Sequence, residues 1–262
     1  DANAITSKVI VTTNAASNRA PVQASLSATQ PQSIITATFI EQSVTPLADY
    51  NAVSRIAPSI AGGVSPNGPG LGETKVTLRG FQDGEYNMTY DGIPFGDTND
   101  PTHHSTSYFP ARIIGGMIVE RGPGNAGNLG QATFGGSVNL FSKELSGEFA
   151  FSPYASYGSW NTLMKGFQVD SGQITSWGDA AFMFNASRLA TDGYLSYNAV
   201  SEENYQFKFS KTIFDKTTLT VFSTYNTITS YTPDKSGVTL NQVAQFGKNY
   251  SLNNDPSSQN YW

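Results

Sequence analysis

The chain of 262 residues contains no cysteine. That removes disulfides, thiolate metal sites and cysteine nucleophiles, and gives no information on compartment. Charge is scarce: Asp, Glu, Lys and Arg make up 13% of residues, against a usual share of about 25%. The balance is acidic, with a net charge of −5 and a pI near 5.0. No basic tract is present, so nucleic acid is not an expected partner. No apolar run reaches the roughly 18 residues that a membrane helix needs. A mean hydropathy of −0.30 still leaves a membrane barrel open, because barrel strands alternate apolar and polar residues and average out. Nothing at Asp1 resembles a signal peptide, so a mature chain or a piece of a longer one is expected.

What is present is glycine, proline and aromatics: 25 Gly, 13 Pro and 12% Phe, Trp and Tyr. The first 30 residues are rich in Ala, Asn, Ser, Thr and Gln, with a β-prone island at Lys8–Thr13. That island reads as an edge strand, a tail, or a peptide held out for a partner to pair with. Ser33–Phe39 is β-branched and predicts a strand. Thr45–Ile56 predicts a helix, with Thr45 as N-cap and Pro46 at the first helical position. Residues 61–73 form a Gly/Pro-rich loop, followed by short strands at Lys75–Arg79 and Asn87–Tyr90. Asp91-Gly92 signals a turn. A polar loop spans Phe95–Tyr108, and strands are expected at Ile113–Glu120 and Ser137–Ser142.

The texture changes at Ser146. From there the chain alternates with period two: Phe149, Phe151, Ala155 and Tyr157 share a face, and Glu148, Ser152, Tyr154 and Ser156 share the other. The same holds for Phe182, Phe184 and Ala186, and for Tyr205, Phe207 and Phe209. Five strands are predicted, near 147–157, 162–171, 179–189, 203–214 and 217–228. The connection at 190–202 and the tail after 229 are expected to be long, and those at 172–178 and 215–216 shorter. Segments of about 10 residues with one apolar face suit an outer-membrane strand. A soluble β-sandwich also alternates, but aromatics on the apolar face with so few charges favour the membrane. Five strands cannot close: the smallest single-chain membrane barrels need about eight, in even number. Bare strand edges in hydrocarbon are not viable. Membrane strands would therefore have to be part of something larger.

Residues 74–143 carry an ordered series of elements. A strand ends in Arg79-Gly80-Phe81. Tyr90-Asp91-Gly92-Ile93-Pro94 follows, then Ile118-Val119-Glu120-Arg121-Gly122-Pro123. A closing strand contains Ala132, Gly135, Gly136, Val138, Asn139 and Lys143. In this order, directly before alternating strands, the series resembles the plug domain of TonB-dependent outer-membrane receptors. Asp49–Ser59 sits where that family has a helix and turn. Two departures are Leu129-Gly130, where an aromatic-Gly pair is usual, and Glu120-Arg121 abutting the glycines without an intervening hydrophobe.

The resemblance implies an α+β plug domain followed by antiparallel membrane β-barrel strands, part of a larger plugged barrel of about 22 strands. Its division of the chain would be residues 1–20 as a periplasmic segment, 21–145 as plug and 146–262 as the first barrel strands with extracellular loops. It implies active import of a scarce ligand, most commonly a ferric siderophore, across the outer membrane of a Gram-negative bacterium. TonB, energised by ExbB and ExbD, would be the partner, with Lys8, Val9, Ile10, Val11 and Thr12 as its contact. Uptake of a carbohydrate, vitamin, haem or aromatic ligand is the alternative. Ligand contacts would come from plug loops: Gln82, Asp83, Glu85, Tyr86, Phe95, Asp97, Asp100, His103, His104 and Tyr108. Arg79, Arg121 and Glu120 would take part in ion pairs between plug and barrel. Adjacent His103 and His104 rarely both face one ion, so no metal site and no cofactor is expected.

An enzyme reading has little to rest on. Asp91 and Glu120 could be a glycosidase carboxylate pair, but both lie in motifs that turns explain. No HExxH, P-loop or Ser/His/Asp order is present. A passive porin or adhesin is a further alternative, against which the globular N-terminal part counts.

Overall fold

The computed structural model describes residues 28, 30–62, 65, 67–68, 70–98, 100–105, 109–123, 130, 134–214, 217–231 and 238–251. The N-terminal part is built on a mixed sheet. In chain order it runs β1 (Gln32–Thr36), α1 (Ala37–Ser43), α2 (Tyr50–Ser54), β2 (Ile60–Gly62), β3 (Val76–Leu78), β4 (Asn87–Tyr90), β5 (Ile93–Pro94), β6 (Ile114–Glu120) and β7 (Ser137–Ser142). The sheet order is β1-β6-β7-β4-β5, while β2 and β3 pair separately. Only the β4–β7 pairing of this sheet is parallel.

Two local expectations are corrected. The strand predicted over Ser33–Phe39 ends at Thr36, whose hydroxyl accepts from the Phe39 amide at 3.3 Å and starts α1. The helix predicted over Thr45–Ile56 is confined to Tyr50–Ser54, capped by Asp49 and not by Thr45. Asp49 Oδ1 accepts from the Ala52 amide at 2.8 Å. The preceding residues are drawn out of helix by pairing with 109–111: the Tyr50 amide donates to Phe109 O and the Ala111 amide to Ala48 O. Tertiary hydrogen bonds override the weak helical signal there.

The Asp91-Gly92 turn is present as expected. Asp91 has φ +50° and Gly92 φ +80°, the two left-handed residues of a tight hairpin, and they join β4 to β5. The core of this part packs Ile35, Tyr50, Leu78, Met88, Met117 and Leu140, all essentially inaccessible.

The second sheet is an antiparallel meander, β8 (Phe149–Gly158), β9 (Thr162–Ser171), β10 (Ala181–Thr191), β11 (Val200–Ile213) and β12 (Thr217–Ser230). The five strands match the predicted alternation. The connection 172–180, however, is no shorter than 192–199, so lengths do not alternate as expected: β10 and β11 both extend into the segment read as a long loop. A short helix, α3 (Leu240–Phe246), follows β12 and starts with a capping box from Thr239 and Gln242.

The register makes the meander's two faces explicit. Ser152, Gln168, Asn185, Gln206 and Thr224 stand opposite one another across the five strands. The next row on that face is Tyr154, Gly166, Ser187, Asn204 and Asn226. Both rows are polar or small, and Asn185, Asn204 and Gln206 are buried. The opposite face carries Phe151, Val169, Phe184 and Phe207 in one row and Phe167, Ala186, Tyr205 and Tyr225 in the next. Phe151 is 58% exposed and Tyr225 63%. A polar face turned inward and an apolar face turned outward is the reverse of a water-soluble sheet and the pattern of a membrane barrel wall.

One glycine is required where β6 meets β7. Gly136 has φ +122°, and a Cβ there would stand 2.2 Å from Glu120 O. Gly136→Ala is expected to destabilise the fold by about 2–4 kcal/mol through strain and backbone overlap. A melting temperature equal to wild type for the full-length protein would contradict this.

Candidate functional site: plug loops and the polar wall

The mixed sheet lies against the polar face of the meander, and a small set of side chains makes the contact. Tyr90 has its ring in the core, stacked on Phe109 at 4.1 Å and on Phe222 of β12 at 5.1 Å. Its hydroxyl donates to Ile113 O at 3.2 Å and accepts from Gln206 Nε2 of β11 at 3.1 Å. Burial pushes the phenol well above its ordinary range, so Tyr90 stays neutral. Arg112 sits 3.5 Å over the Tyr154 ring of β8. Lys208 of β11 donates to Ser142 Oγ at 2.8 Å and to Lys143 O at 2.9 Å.

The Gly/Pro-rich loop makes the tightest clamp. Asn67 Oδ1 accepts from the amides of Tyr194 at 2.7 Å and Leu195 at 3.3 Å, and Nδ2 donates to Asn198 O at 3.2 Å. One side-chain amide of the N-terminal part thus holds the connection 192–199. That connection is also held by the segment after α3, where Asn249 Nδ2 donates to Tyr194 O at 2.6 Å. Of these contacts Tyr90 and Lys143 lie at motif positions, whereas Asn67, Arg112, Gln206 and Asn249 do not, and the sequence did not single those out. The available signal was a lone Lys208 on the polar face of a strand.

The loops chosen from the sequence do come together in part. His103 is buried, with Nδ1 2.7 Å from Asp83 Oδ1, and its amide donates to Asp83 Oδ2 at 2.8 Å. Burial alone would raise the Asp83 carboxyl, but the bonds from His103 prevail and hold it below its ordinary value of 3.8. His104 turns elsewhere: Nδ1 meets Glu73 at 2.6 Å and Nε2 meets Asp97 at 3.2 Å. The two imidazoles therefore serve different carboxylates, and among the described residues no group of three or more His, Asp or Glu side chains could hold a metal. Glu85 accepts from the Gln82 amide at 2.6 Å, and Asp100 is exposed. Phe95 packs edge-on against Phe109 and His103. A cleft of about 270 Å³ opens between Tyr86, Pro94, Phe95, Asp97, Pro101 and His103. Tyr108 and Lys8–Thr12 lie outside the described residues.

Arg79 and Arg121 bind within the N-terminal part. Arg79 Nη1 donates to Arg121 O at 3.3 Å, and Arg121 donates to Ser33 Oγ and Gln32 O. Glu120 accepts from Ser137 Oγ at 2.9 Å, while Asp91 Oδ1 accepts from the Ser142 amide at 2.8 Å. The two carboxylates thus bracket the ends of β7, about 16 Å apart at some 3.3 Å per residue. That separation is too wide for a glycosidase pair.

Asn67→Ala is expected to remove about 1–3 kcal/mol of local hold; hydrogen exchange at the Tyr194 and Leu195 amides would rise, and unchanged protection would refute the clamp. Asp49 and Asp83 have opposite linkage. The contribution of Asp83 is complete above 3.8 and is lost as pH falls through its depressed folded value. Burial raises Asp49 above 3.8, so its contribution is greatest below 3.8 and is lost as pH rises through the raised folded value. Asp49→Asn keeps the cap and removes the buried charge. It is expected to hold or raise stability at neutral pH by about 1 kcal/mol, and a lower neutral melting temperature would count against this.

Comparison with known proteins places the N-terminal part. Residues 24–137 match the TonB-dependent Receptor Plug Domain family model. No curated protein sequence matches the chain. Among solved structures, the ferric citrate transporter FecA in its unliganded form has a TM-score of 0.66 at 15% identity, over 86% of this chain and 34% of that one. Pseudomonas aeruginosa FpvA, bound to a heterologous ferric pyoverdine, gives 0.63 at 20% identity over 75% and 25%. The alcaligin outer-membrane receptor FauA of Bordetella pertussis gives 0.60 at 21% identity over 76% and 32%. The chain thus spans a quarter to a third of the length of these receptors. Residues 24–137 thus match a plug domain, and the antiparallel strands that follow share the fold of these receptors.

Proposed function

We propose that the chain is part of an active importer of the Gram-negative outer membrane, driven by TonB with ExbB and ExbD. The observation that carries this reading is a plug-type domain seated on the polar face of a sheet whose other face is aromatic and exposed. The division is residues 1–20 as periplasmic segment, 21–145 as plug and 146–262 as barrel wall with extracellular loops. Lys8–Thr12 is the strand-adding contact for TonB. The ligand meets the plug at Gln82–Tyr86 and Phe95–Tyr108, and Arg79, Arg121 and Glu120 pair with charges on wall strands beyond the five described. A ferric chelate is the cargo, supported by the ferric citrate, pyoverdine and alcaligin receptors with the same fold. A passive porin fits less well, since the polar wall is met by Tyr90 and Arg112.

The test is uptake of radioactive iron by iron-starved cells fed chelates of different class. Uptake through the full-length protein is expected to vanish with a protonophore, and equally when residues 8–12 are deleted, while chelate binding at the cell surface persists. Uptake that survives both treatments would establish a passive channel.

A further inference from the structure

Resting on that import reading, we infer that the cleft between loops 82–86 and 94–103 is a subsite for one ring-sized group that is cationic or neutral and donates hydrogen bonds, and that it rejects anionic groups. Size sets the first limit. About 270 Å³ is below the range of about 300–1,000 Å³ that encloses a whole drug-sized ligand, so the cleft accepts one ring of a larger molecule.

The walls are suited to a ring. Tyr86 lies parallel to His103 with centroids 6.3 Å apart, and Phe95 stands edge-on to it at 5.4 Å. Pro94 and Pro101 complete the apolar sides. Asn87, Asp97 and His103 are the polar side chains that line this space. Asp83 grips both the ring and the backbone amide of His103, which fixes the imidazole and requires the proton on Nδ1. The side chain is 5% exposed. Its Nε2 has no hydrogen-bond partner among the described residues and points at Gly96, where a Cβ would come within 3.5 Å of it. With the Nδ1 proton directed at Asp83, a lone pair on Nε2 accepts from a hydroxyl or ammonium whenever the ring carries a single proton.

Charge sets the second limit. Glu73, Asp83, Glu85, Asp97 and Asp100 sit on the loops that form and flank the cleft. Against them, among the described residues, stand Lys75, Arg79 and the two imidazoles, four cations at most against five carboxylates even if both imidazoles are protonated. The field at the cleft is negative in either protonation state, so a carboxylate entering it meets repulsion and an ammonium meets attraction. A ferric chelate of net negative charge is therefore disfavoured at this point, and a chelate presenting an amino or phenolic group is favoured.

Two small probes share a phenol ring and differ in charge: tyramine and para-hydroxybenzoate. Saturation-transfer NMR on the full-length receptor in detergent needs neither energy nor cargo. Tyramine is expected to bind at least about tenfold more tightly than para-hydroxybenzoate. Asp97→Asn, which alters a partly exposed carboxylate, should weaken tyramine about threefold, and His103→Gln should weaken both probes. Equal or tighter binding of para-hydroxybenzoate, no binding of either probe, or indifference to Asp97→Asn would overturn the inference. A receptor that binds tyramine but takes up no iron with energy fails the import reading and leaves the subsite standing.

Discussion

A sheet that buries its polar face needs partners for that face, and the rest of this structure follows from that constraint. Apolar surfaces can meet in many registers, but buried amides and hydroxyls cost free energy unless each finds a partner. The meander turns Asn185, Asn204 and Gln206 inward. The plug-type domain answers with groups that reach out of its own core. Tyr90 belongs to both layers: its ring is packed among apolar residues of the mixed sheet, and its hydroxyl bridges Ile113 O and Gln206. The outward face carries the opposite demand, which only an apolar surrounding satisfies.

The hold between the two layers is modest in kind. Apart from Arg112 on Tyr154 and the Lys208 bonds, its described polar contacts are neutral hydrogen bonds, each worth about 0.5–1.5 kcal/mol net. Asn204 Oδ1, Gln206 Oε1 and Thr224 Oγ1 have no protein partner among the described residues. By contrast, the core of the mixed sheet excludes water completely around Ile35, Leu78, Met117 and Leu140. The contacts between the layers are therefore fewer and wetter than those of the mixed sheet's core.

Much of the fold was legible because period and punctuation are local. Alternation over about ten residues located β8 to β12, and Asp91-Gly92 located the β4–β5 hairpin, because a left-handed two-residue turn admits few sequences. The segment 45–56 was misread for the opposite reason. Its helical spacing is real, but Ala48 and Asp49 pair with residues some sixty positions downstream, and no local pattern carries that information. The Asp83–His103 pair was chosen as two separate loop residues. That they clasp each other, and that His104 turns away to Glu73 and Asp97, depends on loop packing that spacing does not encode.

The family motif marks where the backbone must turn, rather than where a ligand is recognised. Asp91 ties down the Ser142 amide, Glu120 binds Ser137, and Gly136 makes room for Glu120 O. These roles hold whatever the cargo is, so they suit a motif shared across receptors with different ligands. Of the residues that shape the cleft, Pro94 belongs to a motif element, while Asp83, Phe95, Asp97 and His103 fall between the motif elements. On the proposed reading, scaffold and selectivity are written in different segments of one chain. A sequence resemblance carried by the first says nothing about the second, and the charge at the cleft has to be read from this chain's own loops.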